Sequence, residues 1–193
     1  LPEDASSLQF SDVYVAVDDY EDPRKTIDEF SKILLPGSEE KVEGIKHNET
    51  HILKQYNDKL IKKVDKIKLD TRVRRDFFVD TRRVSLTFEI AWPNATLLHL
   101  VKPISFDLTD ASFIQEKSVR YFGYLGLLNQ YALEHGYLFD LLVCAPQTDN
   151  LQNAYQKALE ILQDIQAPKR IITEEKFEEY SEETANNLNK ELI

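Results

Sequence analysis

The stretch VSLTFEIAWPNATLLHLVKPISF, residues 84–106, decides the fold. Val84, Leu86, Phe88, Ile90 and Trp92 alternate with Ser85, Thr87, Glu89 and Ala91, the period-two pattern of a strand with one apolar face. Pro93, Asn94 and Ala95 carry turn chemistry, and TLLHLVK returns as a second strand. A three-residue loop sets Trp92 opposite Thr96, Ile90 opposite Leu98 and Phe88 opposite Leu100, so the apolar faces match. The same register predicts Glu89 opposite His99 on a semi-polar face, with Lys102 further along the returning strand.

Beyond the hairpin, LTDASFIQEKSVRYFGYLGLLNQYALEHG predicts the longest helix, over 110–134, capped by Thr109 or Asp110 and stopped by Gly136. Ile114, Tyr121, Leu125, Leu128 and Ala132 form one stripe. Phe113, Val119, Phe122 and Leu127 widen it, which predicts burial on more than one side. YLFDLLVCAP (137–146) is a continuous apolar run of strand length, as in an interior strand. Strand, long helix, strand is the order of a βαβ crossover. A helix over 150–166 follows, burying Leu151, Ala154, Tyr155, Ala158, Leu159 and Leu162; then come an edge strand, RIIT (170–173), and an acidic helix over 174–190. The expected fold is therefore mixed α/β: an antiparallel hairpin, then a βαβ crossover, with helices packed on a mixed sheet.

Towards the amino end, DVYVAVDD (12–19) reads as a buried strand, and a helix over 23–34 starts with Asp22 as cap and Pro23 in its first turn. Residues 37–49 are a polar loop. A second helix over 49–68, capped by Asn48, aligns Leu53, Tyr56, Leu60, Val64 and Ile67. The natural division is an amino-terminal helical region, 1–83, that joins the sheet or stands as an arm, and an α/β core, 84–193.

With 193 residues, 42% apolar and 30% charged, the chain can bury a core and lacks the bias of disordered or fibrous sequences. No apolar run spans a bilayer, and LPEDASS has neither the basic nor the apolar region of a signal peptide. A single cysteine, Cys144, excludes an internal disulfide and suits a reducing compartment, so a cytoplasmic protein with no membrane partner is expected.

Charge is concentrated. Residues 54–83 hold 11 Lys/Arg against 5 Asp, a net of +6, while the remainder holds 13 Lys/Arg against 29 Asp/Glu, a net of −16. Five arginines fall within RVRRDFFVDTRR (72–83). Lys62, Lys63, Lys66, Arg72, Arg74, Arg75, Arg82 and Arg83 are the candidate contacts for a protein partner or polyanion, with Phe77 and Phe78 as stacking surfaces if that polyanion is nucleic acid. The plainer reading pairs these cations with Asp70, Asp76 and Asp80 or with the acidic carboxyl-terminal helix. Opposite charge on two surfaces of one chain also permits head-to-tail self-association.

Catalytic signals are weak. Restriction-type nucleases set an Asp before a hairpin and an acid-x-Lys on the next strand to hold Mg²⁺; here Asp80 and Glu89 occupy comparable places, Ala91 stands where the lysine belongs, and Lys102 is the spatial substitute. Cys144 ends a strand at the edge where open α/β sheets take ligands, with His99 and His135 as candidate bases, although a lone cysteine in an apolar strand is usually a packed small residue. Asp18, Asp19, Glu21 and Asp22 suit the start of a helix without any cation. Gly-rich phosphate loops, G-x-S-x-G and H-E-x-x-H are absent, and no cofactor or metal is expected. The reading is a non-enzymatic module that binds protein partners through residues 54–83 and the acidic helix, with nucleic-acid binding or a divergent nuclease using Asp80, Glu89 and Lys102 as the alternative.

Overall fold

The computed structural model describes residues 47–190. The strand expected at 12–19, the helix at 23–34 and the acids at 18–22 lie outside the described residues. Within them, helix α1 (Glu49–Ile61), helix α2 (Lys66–Arg72) and strands β1 (Arg74–Asp80), β2 (Ser85–Asn94) and β3 (Leu97–Ser105) precede helix α3 (Ala111–His135). Strand β4 (Tyr137–Cys144), helix α4 (Gln152–Gln163), strand β5 (Lys169–Thr173) and helix α5 (Phe177–Asn189) complete the order. The five strands form one mixed sheet, β1-β2-β3-β4-β5, antiparallel through β3 and parallel from β3 to β5. The mixed α/β fold with a βαβ crossover is what the sequence pattern demands. No described helix is long and apolar enough to cross a membrane.

Two successive crossovers of one hand, stepping the same way across a sheet, put both of their helices on one face. Accordingly α3 and α4 bury Ile114, Leu125, Leu128, Tyr155, Ala158 and Leu162 against Phe88, Leu100, Ile104, Phe139 and Leu141. The opposite face is covered by α1 and α5, whose Ile52, Tyr56, Leu60, Phe177, Tyr180 and Leu188 meet Ile90, Trp92, Val101, Leu142 and Ile172. Residues 47–83 thus share one sheet and its two cores with 84–190.

Two details of the hairpin differ from expectation. Asn94 pairs with Leu97, so the turn is Ala95-Thr96, and Trp92 stands opposite His99 rather than Thr96. Ala95 takes φ +20° in this tight turn. Moreover β2 does not keep one apolar face. Phe88 packs under α3 while Ile90 packs under α1 and α5, although residues two apart on a regular strand share a face. The parity breaks at Glu89, level with Asp76, which adopts φ +51°, a conformation that short polar Asp tolerates better than most residues. Ala91 then takes the α3 side.

Helix α1 begins as expected, with Asn48 Oδ1 accepting from the His51 N–H at 2.9 Å. It ends seven residues early because Asp65 starts a new helix, accepting from the Ile67 N–H at 2.8 Å; an Asp inside a helix competes for its backbone. Ile67 consequently points outward, and Ile52 takes its place in the buried stripe. Helix α3 carries Asp110 as its N-cap and stops at Gly136, φ +65°. A Cβ on Gly136 would stand 3.2 Å from the Thr96 carbonyl of the hairpin turn, so both dihedral and close approach require glycine there.

Candidate functional site

On the α3 side, Glu89 and Lys102 meet as cross-strand neighbours, Nζ to Oε1 at 2.7 Å. Lys102 also donates to the Thr87 carbonyl at 2.9 Å. The second carboxylate oxygen of Glu89 is buried and unpartnered. Burial, aided by the charges of Glu49 and Glu89, pushes the neighbouring Tyr121 hydroxyl up to about 12. Asp80 is not in this group: it sits at the far end of β1, accepting from Ser85 Oγ at 2.5 Å.

Nor is His99 opposite Glu89. Its ring stacks on Trp92 with centroids 3.8 Å apart, and its Nδ1 lies 2.7 Å from Asp140 Oδ2. Arg170, the register partner of Asp140 on β5, donates through Nε to Oδ1 at 2.7 Å, and Tyr180 of α5 donates to Oδ2 at 2.7 Å. Arg170 reaches outward to both oxygens of Glu183 at 2.8 and 2.9 Å. Burial alone would raise the Asp140 pKa, but hydrogen bonds and charge from His99 and Arg170 outweigh it and hold the carboxyl below the ordinary range. Arg170 Nη2 also lies 3.2 Å from His99 Nδ1, and the other ring nitrogen, Nε2, is buried without a hydrogen-bond partner among the described residues. A histidine oriented by an aspartate has the form of a general base. At 2% exposure, and with no described hydroxyl or thiol bonded to its Nε2, this one is a polar core instead.

A third group lies at the carboxyl ends of the parallel strands, where open sheets take ligands. Ser105 and Cys144 are register partners ending β3 and β4, and Glu174 follows β5. His47 arrives from the amino side of α1. The ligand atoms of His47, Cys144 and Glu174 all lie within 4.8 Å of one another. The surroundings hold them by backbone. The His47 N–H donates to Asp107 Oδ2 at 3.1 Å, Ser105 Oγ donates to the His47 carbonyl, and the Ala145 N–H donates to Glu174 Oε2 at 3.4 Å. Lys117 of α3 bonds Glu49 and the Ser105 carbonyl, lowering the Glu49 pKa against the effect of burial. Burial, a hydrogen bond to Glu174 and the charges of Glu174, Asp107 and Glu49 push the Cys144 thiol up, the reverse of what an activated nucleophile needs. Neither histidine weighed as its base is near: His99 lies in the polar core, and His135 donates to the Tyr131 carbonyl at 2.9 Å. His47 gave no signal in sequence, standing in a polar loop 97 positions before the cysteine it meets.

The basic segment divides in two. Lys63 bonds Glu178 and, at 2.9 Å, Glu182; Lys59 bonds Glu178 at 3.0 Å; Lys68 donates to the Asn189 carbonyl at 2.9 Å; and Arg72 donates to the Lys190 carbonyl at 2.8 Å. These residues dock onto α5 of their own chain. Lys62, Lys66, Arg74, Arg75, Arg82 and Arg83 remain exposed. Arg82 and Arg83 line a groove of about 470 Å³ with Gly126, Leu127, Gln130 and Glu134 of α3. The residues expected to widen the buried stripe of that helix face outward instead: Phe113 (54%), Val119 (51%), Phe122 (42%) and Leu127 (47%) are exposed, as is Leu133 (64%). No protein-family model matches the chain, and no curated protein matches it.

Proposed function

We propose that this chain is a non-enzymatic binding module whose partner is an acidic, amphipathic segment of another protein. One observation carries the reading: Leu127, exposed on α3, lines a groove with Arg82 and Arg83, and Phe122 and Leu133 are exposed on the same helix. Exposed apolar surface beside exposed cations suits a partner helix or strand that is apolar on one side and acidic on the other. Arg74 and Arg75 on edge strand β1, with Lys62 and Lys66, are further exposed cations, and Arg75 lines a separate pocket with Asn57, Ile61 and Leu69. The acidic helix is the weaker contact, since Glu178, Glu182 and Glu183 already pair within the chain.

The test is a salt-titrated anisotropy measurement of the intact protein against a short acidic amphipathic peptide, a basic peptide of equal apolar content, and short single- and double-stranded DNA. Binding of the acidic peptide should fall at least tenfold on Arg82→Glu/Arg83→Glu and again on Leu127→Asp, as apolar and charged contacts both contribute. DNA binding that is steep in salt, lost with the arginines and indifferent to Leu127→Asp, would replace this reading with nucleic-acid recognition.

The nuclease alternative draws on the Glu89–Lys102 pair and the unpartnered Glu89 oxygen, but Asp80, its second expected carboxylate, stands at the far end of β1. Mg²⁺-dependent cleavage of duplex DNA that disappears in Glu89→Gln would support it; absence of cleavage in the wild-type protein would remove it.

A further inference from the structure

We infer that His47, Cys144 and Glu174 form a binding site for one zinc-class divalent cation at the carboxyl edge of the sheet. The donor set is one imidazole nitrogen, one sulfur and one carboxylate. Calcium and magnesium call for all-oxygen surroundings, whereas sulfur with imidazole selects zinc and its neighbours. Three protein ligands leave a fourth tetrahedral position for water, the open kind of zinc site.

Geometry supports this. Zinc bonds of about 2.0–2.3 Å place ligand atoms roughly 3.3–3.8 Å apart. His47 Nδ1 and Glu174 Oε1 are already at 3.6 Å, and the full set lies within 4.8 Å, so capture needs a closure of about 1 Å. Cys144, fully buried at the end of β4, is the fixed ligand. His47 and Glu174, 28% and 32% exposed, stand on the rim and supply the movement. Asp107 accepts from the His47 backbone N–H and the Ala145 N–H donates to Glu174, which keeps both rim residues beside the sulfur.

The experiment adds Co²⁺, and separately Zn²⁺ against a chromophoric chelator, to the purified intact protein. Cys144 is the only cysteine, so a near-ultraviolet sulfur-to-cobalt band has one origin. One equivalent should bind with that band; Cys144→Ser should abolish the band, and Cys144→Ser, His47→Ala and Glu174→Gln should each weaken Zn²⁺ at least tenfold. Should Cys144→Ser not fold, the two rim variants decide alone, because both sit at the surface. No uptake in competition with the chelator, or uptake unchanged in His47→Ala and Glu174→Gln, overturns the site.

Discussion

Asp140 shows what one residue imposes on the rest. A carboxylate with no exposed surface in an interior strand is tolerable only if its oxygens are filled, and His99, Arg170 and Tyr180 fill them. Asp140→Asn keeps the volume but removes the buried charge that Arg170 and the His99 ring face, leaving Arg170 only the outer Glu183. The expected loss is about 3 kcal/mol by denaturant titration, the low end for breaking a buried pair, because Arg170 is 30% exposed. The pH dependence has a definite sign. A carboxyl whose pKa falls on folding stabilises the protein above its unfolded value of about 3.9 and ceases to do so as pH drops through the lower folded value. Wild-type stability should therefore decline below about pH 4, and Asp140→Asn should show a shallower decline there. Gly136→Ala meets both a left-handed dihedral and the Thr96 carbonyl, and should cost about 1–2 kcal/mol in the same assay. The lone acid within YLFDLLVCAP was visible in the sequence; its partners were not, because Arg170 and Tyr180 reach it only through sheet register and helix docking.

At the scale of elements, length and periodicity carried far. The caps Asn48 and Asp110, the stop at Gly136, and the parallel pairing of β3 with β4 all follow from local pattern. Orientation around the axis did not. A regular alternation cannot announce the parity break at Glu89, and the apolar width of α3 reads the same whether its flanks meet protein or water. Thus the observed register brings Glu89 to Lys102, whereas unbroken alternation with a three-residue loop sets it opposite His99. Two glycines in α3 sharpen the point. A Cβ on Gly123 or Gly126 would meet nothing within 4 Å, so packing among the described residues requires neither glycine. Gly123→Ala and Gly126→Ala should each stabilise the isolated protein by about 0.5–1 kcal/mol, read from the denaturation midpoint. If α3 receives a partner beside Arg82 and Arg83, Gly126→Ala should at the same time weaken that association.

For the whole molecule, the sheet has one face closed by crossover helices that lie between its strands in sequence, and another closed by helices from far apart. Lys63, just past the end of α1, and Glu178 of α5 bond to each other across 115 residues of sequence. Deleting α5 would bare Trp92, Tyr56, Leu142 and Ile172 and strip Asp140 of Tyr180. Such a variant should keep much of its far-ultraviolet dichroism, lose its near-ultraviolet signal and bind a hydrophobic dye. The same separation governs the order of events at birth. Chains leave the ribosome amino end first and at a few residues per second, so α1 emerges long before the helix that covers it. Until α5 clears the exit tunnel, the nascent chain holds Ile52, Tyr56 and Leu60 with only half of their final surroundings, and this side of the protein can close only after α5 has been synthesised.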